Sequence, residues 1–164
     1  MEKKYSSKGF EIACRQYDNS NIINQNISFI SKDIQQIYIS NLIRSELTYN
    51  ALKIDIKANK TELINEVPIV PFIQTMFKLP TFIWMAVGRI QWLLNIKIQP
   101  EIRNDTLKKI DLLISKLEKD NNDTLIIGHG FYFSQLKRVL KKRRYSGKAK
   151  LNYKNGEIVR FNKV

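Results

Sequence analysis

Three basic side chains lie at points in the sequence where a site for an anion could form. His129 lies between two glycines at the end of the β-type run 124–127, and a helical pattern begins directly after it. Arg15 follows the apolar run 10–14, and Arg44 lies one turn into a predicted helix. A helix start favours anions, and ligands of open α/β sheets bind at the carboxyl ends of the strands. These positions predict that the three side chains converge on one phosphate group.

Each of the three residues also has an ordinary structural explanation. The glycines around His129 would then only permit a tight turn, and the imidazole would be a partly buried side chain without a ligand. Arginines are mostly surface residues. The shared position at strand ends favours the phosphate site, because guanidinium groups bind phosphate oxygens in pairs and an imidazole adds another donor.

The predicted elements that position these residues alternate between strands and helices. Strands are expected at residues 10–14 and 36–40, and a third ends at His129. Helices are expected at residues 42–52 with Ser40 or Asn41 as N-cap, from Pro80, from Pro100 to about Glu118, and from Phe131 to Leu140. A tail hairpin is expected around Asn155-Gly156, with arms at 148–153 and 157–161. This order predicts an α/β three-layer sandwich, with a mostly parallel central sheet and helices on both faces.

Composition favours one globular domain over residues 1–164. Hydrophobic residues make up 43% of the chain and charged residues 26%, and no repeat or linker divides it. The single cysteine, Cys14, excludes an internal disulfide and favours a reducing compartment. No apolar stretch follows the charged N-terminal residues, so a cytoplasmic location is predicted.

The most apolar segment, Leu79 to Leu94, is not expected to span a membrane. It contains Arg89 and Gln91, and it is shorter than the roughly 20 apolar residues that a bilayer requires. Trp84 and Trp92 are eight residues apart in this segment, near one helical face. We expect them to pack in a core.

The formal net charge of +13 predicts attraction to phosphates in nucleic acid, anionic lipid or small phosphoesters. Much of the excess lies in a basic segment near the C-terminus. Its cations are Lys137, Arg138, Lys141, Lys142, Arg143, Arg144, Lys148 and Lys150. Because no aromatic residues are interleaved for base stacking, a solvated helix end is favoured over a nucleic-acid patch.

Three motifs in a fixed order carry a family resemblance that covers nearly the whole chain. Segment 39–48 (Ile-Ser-Asn-Leu-Ile-Arg-Ser-Glu-Leu-Thr) contains Ser-x-Leu-x-Arg-x-x-x-Thr, segment 63–66 is Leu-Ile-Asn-Glu, and segment 125–130 is Leu-Ile-Ile-Gly-His-Gly. Together they resemble the histidine phosphatase, or phosphoglycerate mutase-like, superfamily. The resemblance implies that Arg15 and Arg44 bind the phosphoryl group and that His129 stabilises its charge.

The resemblance further implies a proton donor and no metal or cofactor. Glu66 would be the general acid that protonates the leaving oxygen, with Glu62 in the same region as the competing candidate. A general acid must hold its proton near neutral pH, which burial promotes. The sequence itself shows no Asp/Glu/His cluster that suggests a metal.

The chain departs from the family at the nucleophile. The family opens with Arg-His-Gly, whose histidine becomes phosphorylated, whereas this chain has Gln16 after Arg15. An amide nitrogen cannot form the phosphoenzyme, although it can donate a hydrogen bond to phosphate. Losing covalent catalysis costs several powers of ten in rate. We therefore expect binding of phosphate or a phosphomonoester with very little hydrolysis, in a natural pseudoenzyme or in a variant made to trap a substrate.

Two alternatives stay open from the sequence. The chain could be an active phosphomonoesterase with another nucleophile; Asp18, Tyr17, Cys14 and Ser40 lie near the motifs, and none has an evident adjacent base. It could also be a non-catalytic basic module that binds nucleic acid or anionic lipid through residues 141–144, with an affinity that falls steeply with salt.

Overall fold

The structure is a computed structural model that describes residues 3–21, 33–148 and 156–164. This part of the chain contains five α-helices and seven short strands. The helices are α1 (Ser7–Asp18), α2 (Ile43–Leu52), α3 (Thr81–Leu93), α4 (Arg103–Asp120) and α5 (Gly130–Lys142). The strands are β1 (Lys4–Tyr5), β2 (Gln36–Ser40), β3 (Ala58–Thr61), β4 (Leu79–Pro80), β5 (Thr124–Ile127), β6 (Tyr145–Ser146) and β7 (Asn162–Lys163). A 3-10 helix, Glu62–Ile64, follows β3. The chain is therefore an α/β protein.

The chain divides into two compact units. Unit 1 comprises Met1–Ser20 and Val67–Leu107, and unit 2 comprises Asn21–Glu66 and Lys108–Val164. This division does not test the single domain that was expected from the sequence, which stays a prediction.

A small parallel sheet forms the centre of unit 2. Its strand order is β3-β2-β5, and β2 pairs in parallel with both neighbours. Ile39 of β2 lies opposite Ile127 of β5, and Ser40 lies opposite Thr61 of β3. The expected strands at 36–40 and before His129 are confirmed, so the carboxyl ends of β2 and β5 lie at one edge of the sheet.

Helices cover both faces of this sheet. Successive side chains of a strand point to opposite faces, and β2 carries apolar side chains on both of them. Ile37 and Ile39 are buried with Ile127 on one face, where Tyr49 and Leu52 of α2 pack against them. The opposite face contributes Tyr38 to a second cluster. That cluster also contains Ile110, Leu113 and Ile114 of α4 and Tyr132, Leu136 and Leu140 of α5.

Unit 1 is built around the inner side of α3. Trp84 is fully buried, and its ring lies 5.5 Å from that of Phe10 in α1 and 4.9 Å from that of Phe72. Its indole N–H donates to the Tyr5 carbonyl at 3.0 Å. Trp92 is buried too and donates to the Thr106 hydroxyl at 3.0 Å. The predicted core role of both tryptophans is confirmed.

The strand expected at residues 10–14 is wrong, because these residues belong to α1. The Ser6 hydroxyl accepts a hydrogen bond from the Gly9 N–H at 3.3 Å and caps the helix start. Phe10, Ala13 and Cys14 recur at helical spacing, and Phe10 on this side of α1 stacks on Trp84 of α3. A short apolar run fits a strand or a buried helix equally well, and here packing within unit 1 decides for the helix.

The other boundaries differ from the predicted ones by a few residues. The helix expected from Pro80 begins at Thr81, and the one expected from Pro100 begins at Arg103. Neither Ser40 nor Asn41 is the N-cap of α2; Leu42 is, without a side-chain cap. The Ser40 hydroxyl instead accepts from the Leu42 N–H at 3.2 Å.

The tail pairs as antiparallel strands, but not where the hairpin was expected. Tyr145 and Ser146 pair with Lys163 and Asn162. Residues 157–161, expected as one arm, are not a strand, and most of the other arm lies outside the described residues. Across the described ranges, no helix is long and apolar enough to cross a membrane.

Candidate functional site

A hydroxyl–imidazole cluster lies at the carboxyl edge of the sheet in unit 2. The Nε2 atom of His129 lies 2.7 Å from the Ser40 hydroxyl oxygen and 3.3 Å from that of Ser45. The Ser40 hydroxyl also hydrogen-bonds that of Ser45 at 2.9 Å. Both serines are buried. These two contacts to one ring nitrogen hold the imidazole in a defined orientation.

The cluster lies at the point where the chain diverges from the carboxyl ends of β2 and β5. Ser40 is the last residue of β2, and His129 follows β5 by two residues. The chain leaves β2 for α2 on one face and leaves β5 for α5 on the other face. Diverging connections open a crevice between neighbouring parallel strands, and ligands of α/β sheets bind there.

Arg44 brings a cation to the same edge of the sheet. It directly precedes Ser45 in the first turn of α2, which starts at Ile43. Its side chain is half-buried, and its Nε atom is shielded from solvent. A guanidinium group in such a position binds a carboxylate or phosphate more strongly than one on an open surface. The structure thus places Arg44 and His129, which the sequence singled out, on two adjacent strand-to-helix connections.

Glu66 contacts the start of α5. Its two carboxylate oxygens accept from the backbone N–H groups of Phe131 at 3.3 Å and Tyr132 at 3.0 Å. A negative side chain beside the first turn offsets the partial positive charge of a helix start. From the sequence, a bound anion was expected at the start of this helix. In the structure the Glu66 carboxylate lies there instead. The general-acid role of Glu66 stays a prediction, and its competitor Glu62 is exposed in the 3-10 helix.

The two glycines beside His129 have different surroundings. A Cβ atom on Gly128 would lie 3.1 Å from the Phe133 ring and 3.3 Å from the Ile64 carbonyl oxygen, so this position is crowded. A Cβ atom on Gly130 would meet nothing within 4 Å. Close packing thus accounts for the first glycine and not for the second.

Arg15 and Gln16 lie in unit 1 and do not follow a strand. Both are exposed in the last two turns of α1, where Arg15 lies 3.9 Å from Glu11 in an ion pair one helical turn away. We expected each of the three basic residues to follow a strand that ends at one edge of the sheet. This is wrong for Arg15, which lies in α1, and correct for Arg44, one turn after β2, and for His129, which follows β5. The predicted roles of Arg15 in phosphate binding and of Gln16 in the nucleophile's position stay predictions.

Two of the alternative nucleophiles have a defined environment. Ser40 has a base beside it, so the expectation that no candidate has one is wrong for this residue. The side chain of Ser40 is nevertheless 0% exposed, which blocks approach of a substrate to its hydroxyl.

Burial, with the charge of Asp18, raises the pKa of the Cys14 thiol above its ordinary value of 9.0. A higher pKa lowers the thiolate fraction, which makes Cys14 a poorer nucleophile near neutral pH.

No local sequence pattern pointed to Ser45 as part of this cluster. A hydroxyl in the first turn of a helix usually suggests capping. Its contact with His129, 84 residues later in the chain, depends on the pairing of β2 with β5. Among the residues that the structure describes, no three His, Cys, Asp or Glu side chains lie close enough to hold a metal ion.

Comparison with known proteins adds no relative. No family model matches the chain, and no curated protein or solved structure does so either.

Proposed function

We propose that unit 2 binds inorganic phosphate or a phosphomonoester in the crevice between β2 and β5, with Arg44 and His129 as the binding side chains. The proposal treats the chain as a histidine phosphatase-like protein with a small phosphoglycerate mutase-like α/β core. It retains the predicted cytoplasmic location. Hydrolysis is expected to be very slow.

One observation carries the proposal: His129 Nε2 lies 2.7 Å from the Ser40 hydroxyl where two adjacent parallel strands end. The diverging connections make this edge a ligand crevice, and Arg44 supplies a cation one turn into α2. The order of the three motifs and the helices on both faces of the sheet support the same conclusion. Phosphate suits this site because an imidazole and a guanidinium both donate hydrogen bonds to its oxygens.

Slow hydrolysis follows from the missing nucleophile. Gln16 stands where the resembled family has its phosphorylated histidine, and a carboxamide cannot take that role. Ser40 has a base but no room for a substrate, because its side chain is fully buried. A burst of product equal to the enzyme concentration from the unmodified protein would contradict this part of the proposal.

Calorimetric titration with inorganic phosphate at low salt tests the binding site. Removing one charge-assisted pair costs about 1.5–3 kcal/mol, so Arg44→Ala is expected to weaken binding about 10- to 100-fold. Lys141→Ala is the matched control, because it removes one exposed cation of unit 2 at the far end of α5. Equal binding by Arg44→Ala and the wild type would overturn the site.

Restoring the histidine tests the resemblance separately. In Gln16→His, hydrolysis of a generic aryl phosphate is expected to rise by several powers of ten if the predicted role of position 16 holds. Gln16→Asn serves as the control, since it keeps a carboxamide. If hydrolysis is unchanged and phosphate binding is intact, position 16 is not the nucleophile's position, and the phosphate site stands without the resemblance.

A second candidate function rests on the cations that end α5. Arg138, Lys141, Lys142 and Arg144 are all exposed, as a polyanion would require. A basic module of this kind binds nucleic acid with an affinity that falls steeply with salt and does not depend on Arg44 or His129. Binding of a random-sequence RNA that Lys141→Ala weakens and Arg44→Ala leaves unchanged would favour it.

A further inference from the structure

The helix α3 in unit 1 is apolar on two opposite sides, and only one of them is covered. Trp84, Gly88 and Trp92 form the buried side. Phe82, Ile90 and Leu93 lie on the other side and are exposed, and Met85, two turns before Trp92, is exposed at the edge of the buried side. Exposed apolar side chains that cluster on one side of a helix in this way are unusual for a protein surface.

Further exposed apolar side chains stand directly before and after α3 in the chain. Before the helix, Met76 is 89% exposed and Phe77 is 82% exposed. After it, Leu94 and Ile98 are exposed as well. We call the exposed side chains of Met76, Phe77, α3, Leu94 and Ile98 the outer apolar face of unit 1.

Cations flank α3 in the chain. Lys78 follows Phe77, and Lys97 precedes Ile98; both are exposed. Lys4 pairs with Pro80 between strands β1 and β4, and the carbonyl of Lys3 accepts from the N–H of Thr81 at 3.1 Å. From residue 67 to residue 100 the sequence contains three Lys or Arg and no Asp or Glu.

We propose that the outer apolar face of unit 1 docks on an anionic lipid bilayer surface. Exposed Phe and Met side chains enter the interface, and Lys3, Lys4 and Lys78 contact anionic headgroups. Apolar burial and attraction between lysines and anionic lipid are the two terms that hold peripheral proteins on membranes. The 13 residues of α3 extend about 20 Å, less than the roughly 30 Å of a hydrocarbon core, so the contact is with one surface.

A lipid surface fits this face better than a second copy of the chain does. A two-fold interface brings two copies of the same patch together, so both copies would contribute lysines and, from residues 67–100, no Asp or Glu to pair with them. The net charge of +13 adds repulsion between copies and attraction to an anionic surface. Charge complementarity therefore selects the bilayer.

Co-sedimentation with vesicles tests the proposal on the full chain. The wild type is expected to bind vesicles of phosphatidylcholine mixed with phosphatidylglycerol, and to bind pure phosphatidylcholine weakly. Phe77→Ser removes a buried aromatic group from the bound state and is expected to lower the partition coefficient about tenfold or more. Lys78→Ala is expected to lower it about fivefold.

Leu112→Ser is the matched control, because Leu112 is 61% exposed on α4 in unit 2 and its loss removes a similar apolar group. Binding by this variant is expected to equal that of the wild type. A Phe77→Trp variant gives an independent readout, since its emission should shift to the blue and be quenched by brominated lipid.

Three results would overturn the proposal. The first is absence of binding to anionic vesicles. The second is binding that Phe77→Ser leaves unchanged and that Lys141→Ala with Lys142→Ala abolishes, which would assign the contact to the basic segment. The third is self-association in analytical ultracentrifugation that Phe77→Ser abolishes while vesicles do not bind, which would assign the face to a second copy.

Discussion

The two units of this chain bury their apolar side chains in different ways. In unit 2 the sheet has two faces, and helices cover both, so Ile39 and Ile127 are buried on one side and Tyr38 on the other. In unit 1 the organising element is a helix, and only its inner side is covered, which leaves Ile90 and Leu93 outside. A sheet flanked by helices encloses apolar residues completely, whereas a helix packed on one side cannot.

The feature that suggests ligand binding also differs between the two units. In unit 2 two buried serines hydrogen-bond the partly buried His129 at the strand ends, so the side chain proposed to bind a ligand has buried partners. In unit 1 the unusual surface is the outer one. The difference teaches that the two proposed contacts, with a small anion and with a lipid surface, belong to separate units and can be broken separately.

The largest expected effect comes from the inner side of α3. Trp84→Ala removes a fully buried ring that contacts Phe10 and Phe72, and such truncations cost about 3–5 kcal/mol of unfolding free energy. Phe82→Ala on the outer side of the same helix is the control and should change stability by about 0.5 kcal/mol or less. Urea unfolding followed by circular dichroism measures both. Similar losses for the two variants would break the distinction between the two sides of α3.

A smaller effect is expected at the start of α5 in unit 2. Glu66→Ala removes the acceptor of two backbone N–H groups, and losing such a cap costs about 0.5–2 kcal/mol. Glu66→Gln keeps an acceptor oxygen and should cost less, and Glu62→Ala is the exposed control. A loss in Glu62→Ala as large as in Glu66→Ala would contradict the capping role.

The smallest effect concerns charge on the surface of unit 2. Hydrogen bonding and attraction from Lys163, together with Tyr145 and Arg143, hold the pKa of Glu118 below its ordinary value of 4.5. Since the folded pKa is lowered, the stabilisation is complete above pH 4.5 and is lost as pH falls through the folded pKa. Glu118→Gln should therefore be slightly less stable than the wild type at neutral pH, and the difference should close in acid. A stability gap that stays constant from pH 7 into acid would show that the ion pairs contribute nothing.

The sequence predicted unit 2 better than unit 1. The runs at 36–40 and 124–127 and the helices after them have strong local signals, and the structure confirms them. The run at 10–14 has no such signal, because its five residues satisfy a strand and a helix alike. Capping by Ser6 and contact of Phe10 with Trp84, 74 residues later in the chain, favour the helix.

The site was predicted only in part, because only some of its residues carry a strong local signal. His129 and Arg44 stand out in the sequence because a turn of glycines and a helix start mark them. Arg15 was placed by analogy with a third strand end that does not exist. The contacts of Ser45 with His129 and of Glu66 with α5 join residues 84 and 65 or 66 positions apart, and no local pattern specifies them.

The sequence by itself determined the β2–α2 and β5–α5 connections, the Gly-His-Gly turn and the excess of positive charge. These features depend on residue type, hydrophobic period and backbone freedom over a few neighbouring residues. Only the tertiary structure decided that residues 10–14 are helical, that two hydroxyls hold His129, and that one side of α3 is left exposed. Those outcomes depend on which distant segments pack or pair with one another, and a local sequence pattern does not contain that information.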